Sequence, residues 1–284
     1  MPELPEVETI RRGLALRLEG KHLVRVVTRR ADLRLPIPVG LAERLEGRRV
    51  ERVDRRAKFL LLRLGPRRNE GPDDGPVLVV HLGMSGRLVI GDQRLPAPGP
   101  HDHADFSTDD GTVVRFTDPR RFGLLDVVQG KALADHALFA ALGPEPLDPS
   151  FDGASLAARL RGRTAPIKAA LLDQRVIAGI GNIYACEALF RSRLSPRRQA
   201  GTVGGHRVAR LAGAIKDVLT EAIAAGGSTL RDYVQSSGEL GYFQFSFAVY
   251  GREGKSCPGC DCRSAIARIV QSGRSTFYCA KRQR

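Results

Sequence analysis

The chain has 284 residues, of which 42% are hydrophobic, and a formal net charge of +14. This length suffices for more than one hydrophobic core, so length alone predicts two domains. No run of eighteen apolar residues and no signal-peptide pattern occurs, which argues against a membrane or secreted protein and predicts a cytoplasmic one. The excess of positive charge favours nucleic acid as the binding partner. The alternative is that this charge only keeps the protein soluble.

The segment PELPEVETI, residues 2–10, opens an amphipathic helix. Val7, Ile10, Leu14 and Leu18 recur at three- and four-residue spacing, while arginines occupy positions off that stripe. The positive end of the helix dipole would therefore lie close to the first residues of the chain.

Those first residues could carry chemistry. A proline after Met1 permits removal of that methionine, which would leave the secondary amine of Pro2 at the terminus. An α-amino group has a pKa near 8, so part of it is unprotonated and nucleophilic at neutral pH. Attack on a sugar carbon would give an iminium that cannot lose its charge by shedding an N–H, with Glu3 as the nearby acid–base group. The alternative is that Pro2 and Pro5 are ordinary helix-start prolines and that Glu3 complements the dipole.

Short runs of β-branched residues and leucine follow, separated by Gly, Pro and Asp turns. The runs are LVRVVTRR, RRVERVDRR, KFLLLRL, VLVVHLGMSGRLVI, HADFSTD, TVVRFTD and GLLDVVQ. They predict an antiparallel β-sandwich, with a hairpin at Asp110-Gly111. Lys58 stands at the start of KFLLLRL, where a solvated strand-end lysine is the alternative to a functional one.

Two motifs in this half are typical of tight turns that project a side chain. They are HLGMSGRL, residues 81–88, with Met84 between glycines, and DPRRFG, residues 118–123, with Arg120 and Phe122. An enzyme that extrudes a nucleotide must fill the hole that it leaves, and apolar wedges with an arginine suit that task. The alternative is that Met84 and Phe122 are core residues.

The periodicity becomes helical after a proline-rich linker, and the tail returns to strands. IARIVQ and TFYC, joined by a Gly-containing turn bearing Arg274, predict a β-hairpin. The fold class is therefore α+β and multidomain. The predicted parts are an N-terminal β-sandwich with a leading helix (1–130), a linker (131–149), a helical domain (150–245) and a C-terminal hairpin domain (246–284).

PELPEVETIRRGL resembles the opening of the formamidopyrimidine-DNA glycosylase family, the Fpg branch of the Fpg/Nei family, and further matching motifs run nearly to the C-terminus. The resemblance implies a bifunctional enzyme of base-excision repair. It would remove 8-oxoguanine and formamidopyrimidines from damaged double-stranded DNA and cut abasic sites by β,δ-elimination through a Schiff base. We expect a monomer that acts on nucleoid DNA and has no membrane partner.

The resemblance also implies roles for single residues. Pro2 matches the Schiff-base nucleophile of the family, and Glu3 matches its proton donor. Lys58 in RRAKFLL matches a phosphate-contacting lysine that assists β-elimination, and Arg274 in QSGRSTFY matches an arginine that serves δ-elimination. Retention of all four argues against a relative that binds DNA without chemistry, which is one alternative.

Other matches with the family concern residues that bind the DNA. Met84, Arg120 and Phe122 match the void-filling set of the Fpg branch, which argues against the other alternative, a Nei-like enzyme for oxidised pyrimidines. His101 in HDH resembles a DNA-contacting histidine, although this stretch could equally be a polar loop. The segment QSSGELGYF, residues 235–243, matches the loop that caps the damaged purine.

IAGIGNIYACEALF resembles the helix–two-turn–helix motif of the family, in which Asn182 and a helix N-terminus hold a phosphate. Lys168 matches a second phosphate-binding position, and Arg163 lies where relatives carry lysine or arginine. Each taken alone would be an ordinary surface base. Together they predict a track along the DNA backbone.

Four of the five cysteines lie between residues 257 and 279, which predicts a metal-binding knuckle rather than disulfides. Relatives bind one zinc ion with two C-x2-C pairs around the hairpin. Cys257, Cys260 and Cys279 fit that pattern, but the fourth position is Arg282. Either Cys262 supplies the fourth ligand, or three thiolates hold the metal, or the metal is absent.

Overall fold

The computed structural model describes residues 2–67, 75–228, 241–260 and 264–284. Within these ranges, no helix has the length and apolar character that crossing a membrane requires. The chain forms two compact units, and each has its own set of secondary-structure elements. The first unit comprises residues 1–140 and 226–241, and the second comprises residues 141–225 and 242–284.

Helix α1 (Leu4–Leu18) opens the first unit and carries the predicted apolar stripe. Val7, Ile10, Leu14 and Leu18 are at most 1% exposed and belong to the hydrophobic core of the unit. Burial of each such side chain contributes roughly 2 kcal/mol to folding. The stripe therefore anchors the start of the chain to the core.

Among its described residues, the first unit also has eight strands, one short α-helix and a 3-10 turn at Gly130–Ala132. The strands and the α-helix are β1 (Leu23–Thr28), α2 (Leu41–Leu45), β2 (Arg48–Arg56), β3 (Phe59–Arg67), β4 (Pro76–His81), β5 (Arg87–Gly91), β6 (Asp102–Thr108), β7 (Val113–Thr117) and β8 (Leu124–Gln129). The strands form two four-stranded sheets, in the orders β1-β6-β7-β5 and β2-β3-β4-β8, and every pairing is antiparallel. The predicted antiparallel β-sandwich is confirmed.

The core between the two sheets is formed by alternate side chains along the strands. Leu60, Leu62 and Leu64 on β3 join the core cluster, as do Phe106 on β6 and Val114 on β7. Successive side chains of a strand point to opposite faces, so Leu61 and its odd-numbered neighbours lie on the other face of their sheet. Both sheets thus contribute to a single core.

The β6–β7 hairpin turns at Asp110-Gly111, as predicted. Gly111 has φ +84°, a conformation that residues with a Cβ rarely adopt. The Asp110 carboxylate accepts hydrogen bonds from Thr108 Oγ1 at 2.7 Å and from the Thr112 N–H at 3.1 Å. The turn chemistry and the backbone conformation therefore agree.

The second unit is helical with a terminal hairpin, which confirms the predicted fold class. Its elements are α3 (Gly153–Leu160), α4 (Ile167–Leu172), α5 (Asn182–Arg191), α6 (His206–Ala224), β9 (Ala267–Gln271) and β10 (Arg274–Tyr278). In the hairpin, Ser272 and Gly273 form a two-residue turn with φ values of +49° and +71°. Arg274 is not in that turn but begins β10 opposite Gln271, because the turn needs only two residues.

Candidate active site and DNA-contacting residues

Pro2 and Glu3 directly precede α1, and both are buried. Glu3 is the N-cap of the helix, and its N–H donates a hydrogen bond to Glu6 Oε2 at 2.8 Å. This is one half of a capping box, which fixes the backbone beside Pro2. The nitrogen of Pro2 becomes an amine only when Met1 is removed.

Glu6 also binds a second segment of the same unit. Its Oε1 accepts hydrogen bonds from the Ser228 N–H at 2.8 Å and from Ser228 Oγ at 3.0 Å. Glu6 is 2% exposed, and a Cβ added to Gly227 would lie 3.2 Å from its Cγ. The sequence analysis did not single out Glu6, although its position three residues after Glu3 is the spacing of a capping box.

Lys58 lies in the tight turn between β2 and β3 and is only 8% exposed, so it is not a solvated strand-end lysine. Ala57 before it has φ +53°, an uncommon conformation that is found more often at functional sites. Burial lowers the pKa of His81 on β4 to about 4, helped by the charges of Lys58 and Arg34. The neutral ring accepts a hydrogen bond at Nδ1 from the Gly83 N–H at 3.0 Å.

The three predicted void-filling side chains reach the surface of the first unit. Met84 is half-buried, Arg120 is exposed, and Phe122 is 44% exposed, which is not the burial of a core residue. The Arg120 guanidinium carbon lies 5.1 Å from the centre of the Phe122 ring, a cation–π contact that pairs the two. His101 is also exposed, directly before β6.

In the second unit, two predicted phosphate-binding residues meet at the backbone of β10. Lys168 is completely buried, and its Nζ donates hydrogen bonds to Thr276 Oγ1 at 2.6 Å and to the Ser275 carbonyl at 3.1 Å. Asn182, the first residue of α5, donates from Nδ2 to the same carbonyl at 3.0 Å. Lys168 is therefore not a surface base, and it supports the strand that begins with Arg274.

Arg274 itself is exposed at the start of β10. Arg163 is half-buried, and it donates from Nη1 to the Asp173 carboxylate at 3.2 Å and from Nε to the Arg159 carbonyl at 2.9 Å. These contacts attach Arg163 to α3 and to the end of α4, whereas Lys168 is attached to β10.

The candidate metal centre contains three of the predicted cysteines. The sulfur atoms of Cys257, Cys260 and Cys279 all lie within 4.8 Å of one another. Cys260 Sγ is 3.4 Å from Cys257 Sγ and 3.9 Å from Cys279 Sγ. Zinc–sulfur bonds of about 2.3 Å in a tetrahedron place sulfurs about 3.8 Å apart, so the triad fits three corners of a zinc site.

Arg282 does not complete that set. Its Nη1 donates a hydrogen bond to the Gly259 carbonyl, and its guanidinium carbon lies 4.9 Å from the centre of the Phe190 ring. A guanidinium offers donors and no acceptor, so Arg282 packs against the knuckle without being a ligand. Cys262 and most of the predicted capping loop, residues 235–240, lie outside the described residues.

Comparisons with known proteins agree with this geometry. Residues 1–125 match the family model of the formamidopyrimidine-DNA glycosylase N-terminal domain, and residues 142–234 match that of the H2TH domain. The formamidopyrimidine-DNA glycosylase of Rhodospirillum centenum is 59% identical over 295 residues, covering 100% of both chains.

Solved structures give the same result. The crystal structure of the MutM (Fpg) protein from Thermus thermophilus is 43% identical, with a TM-score of 0.84 and coverage of 99% of this chain and 98% of that one. A Lactococcus lactis Fpg mutant in complex with a Fapy-dG containing DNA is 31% identical, with a TM-score of 0.88 and 99% coverage of each chain. The chain described here therefore belongs to the formamidopyrimidine-DNA glycosylase family.

Proposed function

We propose that this chain excises 8-oxoguanine and formamidopyrimidines from damaged duplex DNA and then cuts the abasic site as a lyase. Family membership over the whole chain carries this proposal, and the Fapy-dG complex of the Lactococcus lactis enzyme supports the substrate class. The enzyme would act on the nucleoid DNA of the cytoplasm. The net charge of +14 suits a polyanionic substrate.

The burial of Pro2 and Glu3 supports the assignment of the chemistry to these two residues. After removal of Met1, the Pro2 nitrogen would attack C1′ of the damaged nucleotide, and the C–N bond to the base would break as Glu3 supplies a proton. The Pro2 nitrogen would then lose its proton, and the C1′–O4′ bond would break as O4′ takes up a proton, which opens the sugar and leaves an iminium between Pro2 and C1′. This iminium would acidify the C2′ hydrogen. Successive β- and δ-eliminations would then release the two phosphates flanking the sugar.

Lys58 and Arg274 are proposed to assist these eliminations, each through a phosphate neighbouring the lesion. Little exposure of Lys58 supports its role, since a desolvated ammonium attracts a phosphate more strongly than a solvated one. Arg274 is exposed at a strand end and can donate two hydrogen bonds to one phosphate.

The remaining residues are proposed to hold the DNA. Met84, Arg120 and Phe122 would fill the void left by the extruded nucleotide, and the exposure of Arg120 and Phe122 supports this. The sugar-phosphate backbone of the DNA farther from the lesion would be bound by His101, Arg163, Lys168 and Asn182. We retain the division into domains at 1–130, 131–149, 150–245 and 246–284 as part of the proposal.

We propose that one zinc ion per chain is held by Cys257, Cys260 and Cys279, with Cys262 as the fourth ligand. The sulfur spacing supports the first three. When bound, zinc would supply structural cross-linking of the tail and no redox chemistry. The knuckle would thereby steady the hairpin that presents Arg274.

Borohydride trapping on a duplex with a defined abasic site tests the function. The processed chain should form a covalent adduct at Pro2, because an amine-based lyase passes through a reducible iminium. A chain whose retained Met1 is verified by mass spectrometry should not trap, and Pro5→Ala serves as the matched proline control that should. Equal trapping with Met1 retained would remove Pro2 as the nucleophile.

Base excision is tested separately. Glu3→Gln should lose excision of 8-oxoguanine while binding the same duplex with nearly unchanged affinity, since the substitution removes a proton donor and leaves the shape. Preference for an oxidised pyrimidine over 8-oxoguanine in the wild-type chain would favour the Nei-like alternative.

A further inference from the structure

The two loops that carry the void-filling residues are neighbours by topology. Residues 82–86 connect β4 to β5, and residues 118–123 connect β7 to β8. Since β4 pairs with β8 and β5 pairs with β7, both loops pass between the two sheets at the same edge of the sandwich. They start and end at paired residues, His81 with Leu124 and Arg87 with Thr117.

One side-chain pair joins these loops. Ser85 Oγ donates a hydrogen bond to Asp118 Oδ1 at 2.6 Å and accepts one from the Arg120 N–H at 3.1 Å. The other oxygen of Asp118 accepts the Gly123 N–H at 2.7 Å. Ser85 is 8% exposed and Asp118 is 0% exposed, so water does not compete freely for these bonds.

The backbones of the loops are also in direct contact. Gly83 has φ +59°, and a Cβ added there would lie 2.3 Å from the carbonyl carbon of Phe122 and 2.5 Å from the Gly123 nitrogen. No side chain of any size fits at that position. The turn before Met84 and the turn after Phe122 therefore cannot shift independently.

Asp118 extends the connection to a third segment. Its N–H donates to the His101 carbonyl at 2.9 Å, and its own carbonyl lies 2.8 Å from His103 Nε2, which must carry the proton because a carbonyl only accepts. The exposed His101 is thus attached to the same residue as the two loops.

We propose that Ser85 and Asp118 are the positioning pair that holds Met84, Arg120 and Phe122 as one preorganised unit for entry into the duplex. The inference rests on the proposed function and assigns no chemistry to either residue. Entry of a wedge into stacked bases is costly, and loops that must first be ordered would weaken it further. A buried hydroxyl–carboxylate bond between the two loops removes that ordering step.

The test compares two substrates. Ser85→Ala should slow excision of 8-oxoguanine from intact duplex by about tenfold to a hundredfold, the effect of losing one hydrogen bond to a charged group. Cleavage of a preformed abasic site, which has no base to extrude, should change by less than about threefold. Asp118→Asn should behave alike, whereas Ser107→Ala, a half-buried serine on β6, should change neither rate.

A double-mutant cycle separates positioning from general damage. If Ser85 acts through the wedge, the loss of excision rate in Ser85→Ala combined with Phe122→Ala should be smaller than the sum of the two single losses, because Phe122 is one of the three side chains that Ser85 positions. Additive losses would overturn the proposal. Fluorescence of 2-aminopurine beside the base opposite the lesion should show the same loss of void filling in Ser85→Ala as in Phe122→Ala.

Two further results would contradict the positioning role of Ser85. Equal slowing on both substrates, or no slowing on either, would overturn the role of Ser85. Should Ser85→Ala lose its cooperative unfolding transition, Ser85→Cys, which keeps a weaker donor of similar size, is measured in the same assays against the same outcomes. Failure of the wild-type chain to trap or to excise would instead refute the proposed function.

Discussion

Glu6 and Ser228, which are 222 positions apart in the chain, are joined by two hydrogen bonds to one buried carboxylate oxygen. The other oxygen of Glu6 accepts the N–H of Glu3. We predict that Glu6→Gln lowers the free energy of unfolding by about 1–3 kcal/mol, because a Gln side chain has one acceptor oxygen for these donors. Urea unfolding measures it, with the exposed Glu43→Gln as the control; equal stability of both variants would contradict the prediction.

Two roles of Lys168, support of the hairpin and binding of a DNA phosphate, can be measured separately. Lys168→Met should reduce the free energy of unfolding by about 1–3 kcal/mol, since Thr276 Oγ1 loses its donor while Asn182 still serves the Ser275 carbonyl. If the lysine also binds phosphate, the slope of log affinity against log salt should fall by about one. Lys216→Met, at a half-buried position on α6, is the control, and an unchanged slope would leave Lys168 a purely structural role.

His81 should make stability depend on pH. Its folded pKa of about 4 lies below its ordinary 6.5, so between these values the unfolded chain binds a proton that the folded chain does not. Stability is therefore fully present above pH 6.5 and is lost as pH falls toward 4, by up to about 3 kcal/mol. Urea unfolding of the wild type and His81→Asn across this window should diverge accordingly. NMR titration of the ring with a midpoint near 6.5 would refute this.

The metal centre gives the fourth prediction. We expect the single zinc site of the wild-type chain to bind weakly and to be only partly filled, to be filled less in Cys262→Ser, and to be filled more in Arg282→Cys, which places a thiol at the fourth position of the family spacing. Elemental analysis per chain measures this. One tightly held zinc in both the wild type and Cys262→Ser would exclude Cys262 as a ligand. No zinc in either would mean that strand pairing and packing hold the hairpin without a metal ion.

Much of the fold could be predicted from the sequence because its signals are local. The stripe of α1, the Asp110-Gly111 hairpin and the terminal β-hairpin each follow from spacing or turn chemistry within a few residues. Helix α2 was missed because its five residues are too few to show a period. Met84, Arg120 and Phe122, which are proposed to fill the void, were singled out through turn glycines and family resemblance.

Only the tertiary structure decided how distant segments meet. The run VLVVHLGMSGRLVI reads as one hydrophobic stretch, yet β4 and β5 belong to different sheets. Lys168 has the sequence signature of a surface base and is buried against β10, while Ser85 and Asp118 meet across 33 positions. The periodicity of a segment fixes which of its faces is buried, but the partner of that face depends on the packing of the whole chain.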